Sequence, residues 1–173
     1  VTRPGDEIIV ADPVYSPTRL LSQDFLKEFN IKTTFYDPHD LKTLEKAITK
    51  KTKLIFVENP GSNTFDFQDL GKIISIAKKH KILTAIDNTW GTPYFLKPIK
   101  LGLDMSIVSA TKYYSGHSDV MGGSLAVNKK VFAKVKAAER VTGLRLGPDD
   151  AYLITRGLRT LDVRLDRHRE NAK

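Results

Sequence analysis

Lys112 is the residue with the most chemistry to offer. It follows a short apolar run, 105–109, and stands among hydroxyls at Ser109 and Thr111 and a polar loop holding Tyr113, Tyr114, Gly116, His117, Ser118 and Asp119. Lysine in a desolvating pocket is freed to attack a carbonyl carbon and form a Schiff base. Two other apolar runs end in carboxylates, Glu58 and Asp87, the latter followed by Asn88 and Thr89. Asp87 could pair with a cationic ring nitrogen, while Ser109 and Thr111 could hold a phosphate. An amine, a ring-nitrogen acid and phosphate donors on neighbouring strand ends are what pyridoxal phosphate (PLP) requires. The same residues also have plainer uses. Asp87 could cap a helix, Ser109 and Thr111 could cap a turn, and the glycines could simply serve loops. Residue pattern alone leaves PLP chemistry and a generic α/β binding domain both open. His117, Ser118 and Asp119 lack a nucleophile elbow, and the histidines at 39, 80, 117 and 168 lack metal-ligand spacing.

The elements that must position these residues show as alternating short apolar runs and longer amphipathic stretches. Strands are expected at 8–10, 33–36, 54–57, 82–86, 105–109 and 122–127. Helices are expected from Ser16 and Pro17 onward with Ser16 as the cap, over 41–48, and around Ile73, Ile74 and Ala77 behind Asp66 and Asp69. From Lys129 the pattern is helical to the end, with a break at 143–148. Strands this apolar, separated by helices, predict an α/β fold: a mostly parallel sheet with helices on both faces. Such sheets bind ligands at the carboxyl ends of their strands, where Glu58, Asp87, Ser109, Thr111 and Lys112 stand.

Composition narrows the function classes. The 173 residues are 40% hydrophobic and 28% charged, a globular balance that excludes disordered and fibrous classes. There is no cysteine, hence no disulfide framework, thiolate metal site or cysteine nucleophile. No apolar run is long enough to span a membrane. The net charge of +8 invites a nucleic-acid reading. From Lys129 onward, however, 12 basic and 6 acidic residues carry +6 of it, interleaved at helical spacing. That is a solvated helical face rather than a phosphate-tracking groove, and neither a nucleic-acid nor a membrane partner is expected.

Several motifs together are recognisable: Ile86, Asp87, Asn88, Thr89, Trp90; Ser109, Ala110, Thr111, Lys112, Tyr113; Gly116, His117, Ser118, Asp119, Met121, Gly122; Asp12 to Thr18 around Tyr15; Glu58 to Ser62; and the stretch from Ala151 to Glu170 with its core from Arg156 to Leu161. In this order they resemble the cystathionine β-lyase branch of the Cys/Met-metabolism PLP enzymes. The resemblance implies the large domain of an aspartate-aminotransferase-like, fold type I enzyme. It makes Lys112 the lysine that carries PLP and then moves the substrate α-proton. Asp87 becomes the partner of the pyridinium nitrogen, Tyr15 a ring-stacking residue that assists proton transfer, and Ser109 and Thr111 phosphate contacts. It further implies a cytoplasmic homotetramer acting on a small amino-acid substrate, with cystathionine β-elimination as the reaction and a γ-acting relative as the alternative. Under this reading residues 1–146 form the PLP-binding domain, short of its N-terminal part, and 147–173 form a helix leading toward a C-terminal domain not included here. The isolated chain is then expected to be a non-catalytic PLP-binding piece.

Overall fold

A computed structural model describes all 173 residues. The apolar runs become six strands: β1 (Glu7–Ala11), β2 (Lys32–Tyr36), β3 (Thr52–Glu58), β4 (Leu83–Asp87), β5 (Met105–Ser109) and β6 (Gly123–Val127). They form one sheet in the order β2-β1-β3-β4-β5-β6. The first five strands are mutually parallel, and β6 returns antiparallel beside β5. Strand order reverses beside β1, whose neighbours β2 and β3 lie on opposite sides. That is the topological switch point where a crevice opens at the strand carboxyl ends.

Both faces are covered, as the apolar strands predict. On one face the buried side chains of Ile9, Ile55 and Ile86 pack with Leu44 and with Ile73, Ile74 and Ala77 of the helix Leu70–His80. On the other, Ala85 and Met105 pack against Val131 of the helix Lys129–Thr142, flanked by Leu54, Phe56 and Leu83. Burying one such aliphatic side chain is worth about 1.5–3 kcal/mol, so these faces supply most of the driving force for the layered arrangement. The helix starts follow local chemistry. Asp40, Asp69 and Asn128 each accept a backbone N–H of the first turn of the helix that follows.

At the helix after β1 the structure departs from expectation. It runs Ser16–Leu20, continues as a π-turn over Leu21–Phe25 and ends with Leu26–Glu28. Tyr15, not Ser16, occupies the cap position, and no side chain caps it. The chain is instead fixed by a distant acid: the Tyr15 backbone N–H donates to Glu58 Oε2 at 2.7 Å. The terminal region forms two helices, Pro148–Leu158 and Leu161–Asn171. Their buried residues Ile154, Leu161 and Leu165 join Val108, Ala110, Tyr114 and Val120, so both helices pack onto the loop that follows Lys112.

Candidate cofactor site

A cavity of about 980 Å³ opens at the carboxyl ends of β3, β4 and β5. Tyr15, Asp87, Ser109, Thr111 and Lys112, drawn from three separate stretches of sequence, all line it. Glu58, Ser62, Thr89, Trp90 and Arg164 complete much of the wall.

The carboxylates come first, because the sheet places them. Glu58 and Asp87 are register partners on adjacent parallel strands, so their side chains project from the same face. Asp87 is half-buried, and its Oδ1 accepts the Thr89 N–H at 2.9 Å. Asp87 thus braces the turn after β4 rather than capping a helix, and it also lines the cavity. Glu58 is only 4% exposed. Burial first, and the charge of Asp87 as well, push its carboxyl above the usual range, against the opposing pull of the Tyr15 N–H and the Ser62 hydroxyl.

The hydroxyls divide in two. The Ser109 backbone N–H donates to Thr89 Oγ1 at 2.8 Å, and its own hydroxyl makes no bond to the protein. Thr111 Oγ1 donates to the Gly122 carbonyl at 3.3 Å and accepts the Gly122 N–H at 3.0 Å. To serve a phosphate, the Thr111 O–H need only swing from the Gly122 carbonyl, while Oγ1 keeps the Gly122 N–H. At Thr111 the turn-bracing reading therefore describes the observed bonds, and at Ser109 the hydroxyl stands free.

Lys112 lines the cavity but is exposed. The side chain is exposed rather than held in the desolvated pocket expected around it. Its ammonium makes no hydrogen bond or ion pair with the protein. The loop carrying it is held from behind. Arg164, 51 residues further on, donates from Nη1 to the Tyr113 carbonyl at 2.8 Å. It also donates from Nη2 to the Gly157 carbonyl at 2.7 Å and from Nε to Thr160 Oγ1 at 3.1 Å. Gly116, at φ +74°, leaves room for this guanidinium, since a Cβ there would lie 2.4 Å from Nη1. His117 Nδ1 bonds the Ser115 carbonyl and Asp119 pairs with Arg156, so His117, Ser118 and Asp119 do not form a triad.

The family of Cys/Met metabolism PLP-dependent enzymes matches residues 1–173. The chain belongs to that family. It is 40% identical over 170 residues to a cystathionine β-lyase of Lactococcus lactis subsp. cremoris, covering 98% of this chain and 45% of that protein. It is 40% identical over 170 residues to the cystathionine γ-lyase of Homo sapiens, covering 97% of this chain and 42% of that protein. A solved structure from Campylobacter jejuni that contains N'-pyridoxyl-lysine-5'-monophosphate superposes with a TM-score of 0.92. It is 32% identical and covers 99% of this chain and 51% of that one. The chain thus spans about half the length of the relatives it matches.

Membership makes PLP the cofactor, and the cavity's donor set suits it. A free amine, an acid at a strand end, an unengaged serine hydroxyl and an exposed phenol at Tyr15 share one wall. When bound, PLP supplies an aldehyde carbon and an electron-accepting ring. Within this chain Lys112 would hold the aldehyde carbon, Asp87 the ring nitrogen, Ser109 the phosphate and Tyr15 a ring face. The sequence assigns no role to Glu58 or Arg164. Glu58 opens the stretch Glu58 to Ser62 and Arg164 falls within Ala151 to Glu170, but nothing in the sequence sets Glu58 beside Asp87 or brings Arg164 to the lysine loop.

Proposed function

We propose that the enzyme is a carbon-sulfur lyase that cleaves L-cystathionine by β-elimination to homocysteine, pyruvate and ammonia. The observation that carries the reading is the convergence of Lys112, Asp87, Ser109 and Tyr15 on one cavity in a chain of this family. Lys112, whose side chain has no protein partner, would take the proton from the substrate Cα in its uncharged form. Tyr15 stands at the cavity rim where it can assist that transfer. The Cβ–S bond then breaks, homocysteine leaves as its thiolate with the bonding pair, and one water is consumed in releasing pyruvate and ammonia. Residues 58–62, Glu-Asn-Pro-Gly-Ser, and Trp90 support the β-acting form through their resemblance to the cystathionine β-lyase branch. Relatives of similar identity bear both β- and γ-lyase names, so the products discriminate. Homocysteine with pyruvate supports the proposal, while cysteine with 2-oxobutyrate assigns a γ-acting enzyme. In the full-length protein Lys112→Ala is expected to slow pyruvate release by at least about a thousandfold. Release at the unsubstituted rate overturns the assignment.

We also propose a cytoplasmic homo-oligomer. No helix is long and apolar enough to cross a membrane. The open cavity beside Lys112 fits a site whose remaining walls come from outside these 173 residues. The isolated chain is accordingly expected to bind PLP and to turn over little cystathionine.

A further inference from the structure

We infer that Glu58 is a positioning residue for the cofactor, its carboxylate joining that of Asp87 as the anionic partner of the cationic ring nitrogen. The inference rests on the PLP reading above and assigns a second acid to a contact given there to Asp87 alone.

Two observations carry it. Register places Glu58 and Asp87 side by side on the same sheet face, and both line the cavity. Neither takes part in any of the ion pairs of the chain. Two adjacent acids, one of them 4% exposed, are costly to keep in a low-dielectric wall without a countercharge. The hydrogen bond to Tyr15 does not account for the carboxylate, because the carbonyl oxygen of a glutamine would accept the same N–H without charge. The charge therefore has a use that the hydrogen bond lacks, and the ligand side of the cavity is where a cation can meet it. The groups acting on the Glu58 carboxyl are Asp87 on β4, the Tyr15 N–H and the Ser62 hydroxyl; Lys112 and Arg164 line the same cavity without pairing with it.

The test uses the full-length protein stripped of cofactor and two probes: PLP and its carbocyclic analogue, in which a CH group replaces the ring nitrogen. Binding is read from the visible absorbance band that borohydride reduction fixes to lysine. Glu58→Gln keeps an acceptor for the Tyr15 N–H and removes the charge. It is expected to weaken PLP about tenfold while leaving the analogue within about twofold. Glu58→Ala, which also frees Tyr15, is expected to weaken both probes. Glu58→Asp retains a charge and is expected to keep the preference for PLP, so the comparison of Asp with Ala decides the matter if the glutamine variant does not fold. An unchanged ratio of the two affinities in Glu58→Gln, or in Glu58→Ala against Glu58→Asp, overturns the inference and leaves the cofactor reading standing. If the unsubstituted protein shows no band that depends on Lys112, the cofactor reading itself fails.

Discussion

At the scale of single residues, Glu58 sets binding against stability. Its carboxyl lies above the usual 4.5 in the folded chain, so the native state holds a proton that the unfolded state has already released. Between the ordinary carboxylate range and the raised value, stability therefore falls as pH rises. Glu58→Gln removes that penalty. Urea unfolding of the cofactor-free chain is expected to show the glutamine variant more stable than its parent at about pH 7 and indistinguishable at about pH 4, where both are neutral. A variant less stable at neutral pH would show that the Tyr15 contact requires the charge. Ser109 and Thr111 show the limit of reading residues singly. Both carry hydroxyls beside Lys112, yet only the structure reveals that Thr111 is engaged at both ends of the Gly122 peptide unit.

At the scale of elements, the lysine loop is held by the helices that follow it. Gly157 in the helix Pro148–Leu158 meets the loop backbone so closely that a Cβ would lie 2.3 Å from the carbonyl oxygens of Tyr114 and Ser115. Gly157→Ala must push the helix off the loop, and it is expected to cost about 3 kcal/mol in urea unfolding. Because the Gly157 carbonyl also accepts from Arg164, the same variant is expected to weaken PLP binding in the absorbance titration. Gly123→Ala is the control: a Cβ there meets nothing within 4 Å, and the change is expected to stay within about 0.5 kcal/mol. Most elements were legible from periodicity and caps, since apolar runs of strand length and the acids before helices act over a few residues. The placement of Ser16 inside its helix was not, because the contact that sets it comes from Glu58, 43 residues away.

At the scale of the whole molecule, the layers are joined by a buried polar node at Asp104. Its Oδ2 accepts the Thr84 N–H at 2.9 Å, and its Oδ1 accepts the Asn128 Nδ2–H at 2.8 Å. Asn128 in turn caps the helix that covers one sheet face. Asp104→Ala leaves the buried Thr84 N–H without its partner and releases the half-buried Asn128, and it is expected to destabilise the chain by about 3 kcal/mol, read from the urea midpoint with an unchanged slope. The basic excess of the terminal region falls largely on exposed turns of its helices, where several arginines pair with acids nearby in sequence. By itself the sequence determined the alternation of strands and helices, the burial of both sheet faces, and the strand ends at which Asp87, Ser109 and Lys112 stand. Those follow from periodicity and adjacency, which are local. Only the tertiary structure decided the strand order, and with it the crevice beside β1. It also set Glu58 against Asp87, brought Tyr15 to the same wall, and laid Arg164 behind the lysine loop. Each of these is a contact across tens of residues, fixed by how the layers pack rather than by any run of neighbouring side chains.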